Sequence, residues 1–542
     1  MKILFTYVKN TVNADMFGKM VIPSEIISLA SYLENECDTV ILNKSDYSAK
    51  WMEKRLHEIR PDMIYIHIYT HNRIESLKLL KDVKKVTSVP VIIGGPFVTF
   101  LSGEIAERYQ EADHIIRGEP EILLERIIIH YKKKQTSSDM ERILHIDRLS
   151  RTNVIPPANE FEGRLINVNP NEQFKYLLSS RGSLSDDQLI PYAGYSGGEL
   201  RPRSVRKTVS EIVNLQKRYG TIYYIIRDDD FLVDRERAMA FCRELSRRKI
   251  YIMWQCNAHV KNVDEQLLNE LKLNGLERIK FNIFSGSPSI LKQYAPDITQ
   301  DNIRSAVAAA RRIGLYVSIR LFTGFPEETY NDIRKTHALI QKTRPGYCEV
   351  VHLSYYPGTV LYNDAVIQNR IQPSIWFRNT QPAVYVRDDP EVESWIDELK
   401  NVASTLRYTT WYTNHDFRQH RRYNHKKCWV TDILEGDYYY DEEQYDQADR
   451  FYRKVITAYP NNPWGYLRMG KVKFTVGSFA SAEQYYQTVQ ELIPEYYGSY
   501  LKMAQALVAQ DKIKEARRVI EEAFRRNRFD PRIQNVRDVV RH

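Results

Sequence analysis

Carboxylates, hydroxyls and paired glycines recur in this 542-residue sequence just after short apolar runs, where a strand's end can present them to a ligand. One loop, Ser179-Ser180-Arg181-Gly182-Ser183-Leu184-Ser185-Asp186-Asp187-Gln188-Leu189-Ile190, follows the strand-like run Lys175-Tyr176-Leu177-Leu178 and offers Asp187 as a candidate base. A second, Asp228-Asp229-Asp230-Phe231, follows Ile222–Ile226, with Asp234 and Glu236 close behind. Three carboxylates can hold Mg²⁺ or move a proton. Successive side chains of extended chain diverge, so these three are not expected to share an ion, and Asp229 is the candidate base. Glycine-rich turns supply the third element: Gly94-Gly95-Pro96-Phe97-Val98-Thr99, Arg117-Gly118-Glu119-Pro120-Glu121 and Gly324-Phe325-Pro326-Glu327-Glu328-Thr329. Glycine lets a ligand approach the backbone closely. His67, at the end of another apolar run, is either a ligand or a histidine satisfied by backbone.

The elements that must hold these residues alternate in type. From 1 to about 135, strands are expected at Lys2–Tyr7, Thr39–Leu42, Met63–Ile68, Val89–Ile93 and His114–Ile116, with helices between them. That alternation predicts an open parallel sheet covered on both faces, which binds ligands at the strands' C-terminal edge. From 136 to 174 the pattern breaks around Lys132-Lys133-Lys134 and Pro156-Pro157, and a connection is expected. Six more strand–helix units run from 175 to 370, followed by an aromatic and basic helical linker from 371 to 430, whose His415, His420, Arg421, Arg422 and His425 read as a solvated surface. Beyond 431 the period is 34 residues: Gly436, Gly470 and Ala504 recur at it, as do Ala448, Ala482 and Ala516.

Composition excludes several classes. Net charge is +9 on 78 basic and 69 acidic residues, too mild to imply nucleic acid as a partner. No apolar run approaches the roughly 18 residues of a membrane span. Five scattered cysteines form no paired motif, so reduced thiols and a cytoplasmic location are expected.

The motifs resemble a known assemblage. Ser180-Arg181-Gly182, Arg201-Pro202-Arg203-Ser204, Asp228-Asp229-Asp230-Phe231, Trp254-Gln255-Cys256-Asn257-Ala258, Gly324-Phe325-Pro326-Glu327-Glu328-Thr329 and Tyr356-Pro357-Gly358-Thr359-Val360-Leu361-Tyr362 arrive in the order of the radical SAM superfamily. The segments Pro23-Ser24-Glu25, Arg60-Pro61-Asp62, Gly94–Thr99 and Arg117–Glu121 look like the cobalamin-binding domain that precedes some of its barrels. The last third resembles tetratricopeptide repeats. The resemblance implies a Rossmann-like cobalamin-binding-type domain (1–135), a connector (136–174), a partial (β/α)6 TIM-like barrel (175–370), a helical linker (371–430) and an all-α repeat domain (431–542).

The resemblance also marks departures. The family's loop carries three cysteines that hold a four-iron cluster; here those positions are Ser183, Asp187 and Ile190, which offer no thiolate. A metal site is therefore not expected there, nor is a four-iron cluster. Phe284 stands where relatives carry a glutamate that positions SAM, and the basic residue expected near Gln293-Tyr294-Ala295-Pro296-Asp297 is missing, so SAM binding is expected to be weak or absent. Gly324 and Glu327 mark the former SAM pocket. For a cobalamin-like ligand the expected contacts are Gly94, Gly95, Thr99, His67, Gly118 and Glu119, with His67 either ligating cobalt or clashing with the corrin. The reading is a divergent, non-radical accessory or scaffold protein, whose repeats bind a protein partner such as an intact radical SAM relative. The alternatives are an enzyme transferring a methyl or other group by polar chemistry, and a cobalamin-responsive regulator.

Overall fold

The structure, a computed structural model, describes residues 1–8, 21–44, 48–145, 161–182, 189, 195–196, 199–378, 383–407, 412–424 and 428–541. Seven parallel strands form the first sheet: β1 (Lys2–Val8), β2 (Asp38–Lys44), β3 (Met63–His67), β4 (Val91–Gly94), β5 (His114–Ile116), β6 (Ile143–Leu144) and β7 (Arg164–Ile166). Their order is β6-β5-β4-β3-β1-β2-β7. The central strands are buried on both faces, as in Ile3-Leu4-Phe5 and Met63-Ile64-Tyr65-Ile66, which is why they read as continuous apolar runs. The five expected strands are all present. The segment from 136 to 174, expected as a connection, also supplies both edge strands of this sheet.

After β8 (Tyr176–Leu177), the pair β9 (Ser180–Arg181) and β10 (Arg201–Pro202) is antiparallel. Then come β11 (Tyr223–Ile226), β12 (Met253–Ala258), β13 (Leu276–Phe284), β14 (Tyr316–Thr323) and β15 (Tyr347–His352). With β8 these make a six-stranded parallel sheet in the order β8-β11-β12-β13-β14-β15, an open partial barrel. The barrel docks on the first sheet through packed side chains. A Cβ added at Gly358, after β15, would come within 2.4 Å of the Phe100 ring. Arg73, wholly buried, donates to the carbonyl of Trp376 at 3.2 Å and lies 5.0 Å from its ring centroid.

Seven helices from Trp429–Asp441 to Pro531–Arg541 build the repeat array. The 34-residue spacing has a local cause: Cβ atoms at Gly436 and Gly470 would meet the Tyr452 and Tyr486 rings at 2.4 and 2.6 Å, so only glycine lets the paired helices close. The array does not keep a separate core throughout. Trp429, Val430, Ile433, Trp464 and Met469 form one apolar cluster with Ile222 and Met253 of the barrel. Tyr251 stands edge-on to Trp429 at 6.2 Å. Two clusters belong to the array alone, one around Leu501, Ala516, Ile520 and Ile533 and a small one of Ala482, Tyr486 and Ala506.

Candidate functional site at the barrel mouth and the domain seam

Asp228 leaves β11 and turns under the root of the loop expected to carry chemistry. Its carboxylate accepts from the Ser179 N–H (2.7 Å), the Ser180 N–H (3.1 Å) and both serine hydroxyls, and Arg237 lies 3.7 Å away. Asn257 of β12 donates to the Asp228 carbonyl at 2.9 Å. Asp230 points elsewhere, accepting from Asn262 Nδ2 (2.6 Å) and the Leu232 N–H (2.9 Å). The three carboxylates diverge, so they make no common ion site. Asp229 alone of the three is exposed. It reaches solvent, but burial first, then the charges of Asp228, Glu25 and Asp230, push its carboxyl up to about 6. Glu25 belongs to the first domain, so this carboxyl feels charge from across the domain boundary.

A buried ionic seam joins the two domains. Arg201 of β10 is bidentate on Glu119, with one contact at 2.8 Å, and also donates to the Ser196 carbonyl at 3.2 Å. Arg181 of β9 pairs with Glu121 and lies 3.8 Å from Glu119. Burial raises the Glu119 carboxyl against the pull of Arg201 and Arg181. Burial alone would lower the Arg181 guanidinium, but Glu121 and Glu119 raise it on balance. The sequence reading singled out Gly118-Glu119-Pro120-Glu121, Ser180-Arg181-Gly182 and Arg201-Pro202-Arg203 separately, without signalling that they meet.

The residues expected to hold a cobalamin-like ligand are at one edge, but they contact protein. Thr99 Oγ1 donates to the Gly95 carbonyl (2.9 Å) and accepts from the Gly118 N–H (2.9 Å). A Cβ on Gly94 would meet Tyr65 Oη at 2.6 Å; on Gly95, which has φ +108°, it would meet the Ile68 carbonyl at 2.7 Å and His67 Nε2 at 3.0 Å. Tyr65 and His67 are fully buried, and Tyr65 Oη lies 3.1 Å from His67 Nδ1. The face that paired glycines open is therefore taken by the two rings of β3. As folded, the Tyr65 and His67 rings leave no room on that face of the two glycines. His67 Nε2 has no hydrogen-bond partner among the described residues, and burial lowers its imidazole to about 3, so it is neutral.

The residues expected to line a SAM pocket also contact protein. Phe284 has φ +58° and stacks on Phe322 at 5.6 Å, filling the end of β13. Glu327 accepts from Tyr294 Oη (2.7 Å) and Gln293 Nε2 (3.2 Å). Gly324, at φ +99°, donates its N–H at 2.6 Å to Glu328, a carboxyl missed by the sequence reading, which burial pushes up to about 7. Ser183, Asp187 and Ile190 lie outside the described residues. All five cysteines are described, each buried in a different place: Cys37 before β2, Cys242 on a helix, Cys256 on β12, Cys348 on β15 and Cys428 at a helix start. The described residues bring no three of them together, so they do not fit the thiolate set of an iron–sulfur cluster.

Comparison with known proteins places these parts. Residues 11–128 match the B12 binding domain, 190–340 the radical SAM superfamily, and 433–462 and 473–538 the tetratricopeptide repeat. An uncharacterized methyltransferase of Pyrococcus horikoshii is 24% identical over 376 residues, spanning 66% of this chain and 81% of that protein. The anaerobic magnesium-protoporphyrin IX monomethyl ester cyclase of Rubrivivax gelatinosus is 19% identical over 370 residues, spanning 63% of this chain and 66% of the cyclase. Among solved structures, the radical S-adenosylmethionine methyltransferase TsrM of Kitasatospora setae, with cobalamin and a four-iron cluster bound, aligns with TM-score 0.55 at 16% identity, covering 68% of this chain and 78% of that one. The cobalamin-dependent radical enzyme OxsB, with aqua-cobalamin bound, aligns with TM-score 0.52 at 14% identity over 99% and 83% of the two chains. At these identities the two structures establish a shared fold. The chain carries a B12 binding domain, a radical SAM domain and tetratricopeptide repeats, in that order.

Proposed function

We propose that this protein is a non-radical accessory of the cobalamin-type radical SAM assemblage, keeping the two α/β domains and the repeats without assembling a four-iron cluster. The observation that carries this is the placement of the thiols. Burial raises Cys37 to about 11 and Cys348 to about 12, and also raises Cys242 and Cys256, so these four stay protonated thiols inside packed elements. Sequence adds that no cysteine lies between 175 and 241, where the family's cluster loop falls. Among the described residues no group of three or more His, Cys, Asp or Glu is arranged to hold a metal ion. Anaerobic iron–sulfur reconstitution followed by Mössbauer spectroscopy tests the proposal: stoichiometric four-iron signal would overturn it.

The remaining parts take roles that follow from their contacts. The B12-type domain holds the barrel through the Glu119–Arg201 and Glu121–Arg181 seam. The tetratricopeptide repeats give the chain a capacity for protein contacts, and the partner is proposed to be a catalytically intact relative. No helix of the described residues is long and apolar enough to cross a membrane. Asp229 favours a second reading, an enzyme using polar chemistry. A carboxyl raised to about 6 that still reaches solvent suits a general base. Turnover that follows a single ionisation near pH 6 and disappears in Asp229→Asn would select that reading over the accessory role.

A further inference from the structure

The concave face of the barrel sheet carries a layer of charge. In a closed barrel of this type, branched apolar side chains fill the interior. Here Lys280 of β13, Arg320 of β14 and Glu349 of β15 occupy the middle of their strands and face one another. Register sets this: Arg320 pairs across with Asn282 on one side and with Glu349 on the other. Arg320 donates to Glu349 from Nε at 3.0 Å and from an Nη at 3.1 Å, and Lys280 Nζ donates to the same carboxylate. Their side chains keep 25% (Lys280), 32% (Arg320) and 29% (Glu349) of their surface accessible, so solvent reaches the lumen at this level. Arg227, just beyond β11, lies 5.5 Å from the Tyr176 ring centroid and close enough to act electrostatically on Lys280.

Two further observations point to a ligand. Asn282 Oδ1, two residues along the same face of β13 from Lys280, is buried with no hydrogen-bond partner among the described residues. Burial, then the charge of Arg320, pushes the Lys280 ammonium below its usual range, and Arg227 adds to this although Glu349 opposes it. Burial works against the Glu349 charge, yet its bonds to Arg320 and Lys280 hold it ionised. One carboxylate is thus shared by cations that still repel one another, which leaves the layer net positive.

We infer that the barrel lumen is a binding site for a small molecule bearing an oxyanion, phosphate or carboxylate, seated between Lys280 and Arg320 with its polar body toward Asn282. Guanidinium and ammonium donors aimed into a partly enclosed cavity form strong charge-assisted hydrogen bonds to such a group. Glu349 is the internal competitor, occupying the donors until a ligand partly displaces it. This site stands apart from the cluster argument, so either can fail alone.

Isothermal titration of the full chain with sodium pyrophosphate and, separately, sodium succinate, at ionic strength fixed with chloride, tests the inference. Binding of pyrophosphate assigns the phosphate class, and binding of succinate the carboxylate class. Lys280→Met and Arg320→Met should each weaken that binding by about tenfold or more. Glu349→Gln should tighten it several-fold, because the competitor's charge is gone. A structural role for Glu349 would not produce tightening, so this variant decides the matter even if Arg320→Met fails to fold. Heats equal to the chloride control for both probes, or variants that bind as the wild type does, would overturn the inference.

Discussion

Replacing Asp228 by alanine should loosen the root of the loop that leaves β8 and β9. Its carboxylate accepts from two backbone N–H groups and two hydroxyls and stands 3.7 Å from Arg237. Ser179 and Ser180 are 0% and 5% exposed, so water cannot take over these donors without the site opening. Each stranded buried donor costs about 1–3 kcal/mol. Breaking a buried ion pair from one side costs about 3–5 kcal/mol. These costs overlap, since one reorganisation can serve several groups, so a net loss of about 4 kcal/mol is expected, a large part of a domain's usual margin of roughly 5–15 kcal/mol. Asn keeps one acceptor for the backbone donors and should cost about half as much. A chain of several domains does not unfold in a single two-state step. The measurement is therefore native-state hydrogen exchange of the amides in Leu177–Ser180 and Tyr223–Ile226, compared among wild type, Asp228→Asn and Asp228→Ala. Graded loss of protection in that order is expected. Protection of Asp228→Ala within about 0.5 kcal/mol of wild type would refute the reasoning, because no buried network of this kind could be lost so cheaply.

Ending the chain at residue 427 uncovers Ile222 and Met253, each worth about 1.5–3 kcal/mol of transfer; the barrel should then lose solubility or melt earlier, and a barrel of unchanged melting temperature would show that the shared cluster contributes nothing. Hydroxocobalamin added to the purified chain should leave its own absorbance unchanged, since Tyr65 and His67 take the face opened by Gly94 and Gly95; a shifted spectrum at micromolar protein would show that those rings yield. Burial lowers His67 to about 3 and His71 to about 4 from 6.5, so their neutral forms give stability that is fully present above about pH 6.5 and drains as pH falls toward those values. Glu328 and Asp229, raised to about 7 and about 6, act in the opposite sense, giving stability at low pH that is lost as pH rises through those values. The difference in urea midpoint between wild type and His71→Phe, followed from pH 7 to 4.5, isolates the histidine contribution, and a flat difference would contradict it.

Local pattern made the architecture legible. The five inner strands of the first sheet are apolar runs long enough to show, whereas β6 and β7 have two and three residues and exist only because a neighbour offers a free edge. Divergence of Asp228, Asp229 and Asp230 followed from strand geometry alone. The repeat period was visible because a small residue is needed wherever a tyrosine ring crosses, as at Gly436 and Gly470. What the repeats pack against was not visible, since Trp429 and Ile222 are far apart in the chain and either could have faced solvent or a partner.

The sequence by itself determined which chemical groups exist: no thiolate at 183, 187 or 190, a phenylalanine at 284, glycines at 94 and 95, and a 34-residue repeat. Tertiary structure decided how those groups are used. Glu119 meets Arg201 across 82 residues, Tyr65 and His67 fill the space two glycines leave, and Lys280, Arg320 and Glu349 converge. The physical reason is that side-chain direction along a strand is local, with a period of two, whereas which strands lie side by side and in what register is settled by packing of the whole sheet. A one-residue slip of β14 would turn Arg320 out of the lumen, leaving the composition unchanged and the site gone.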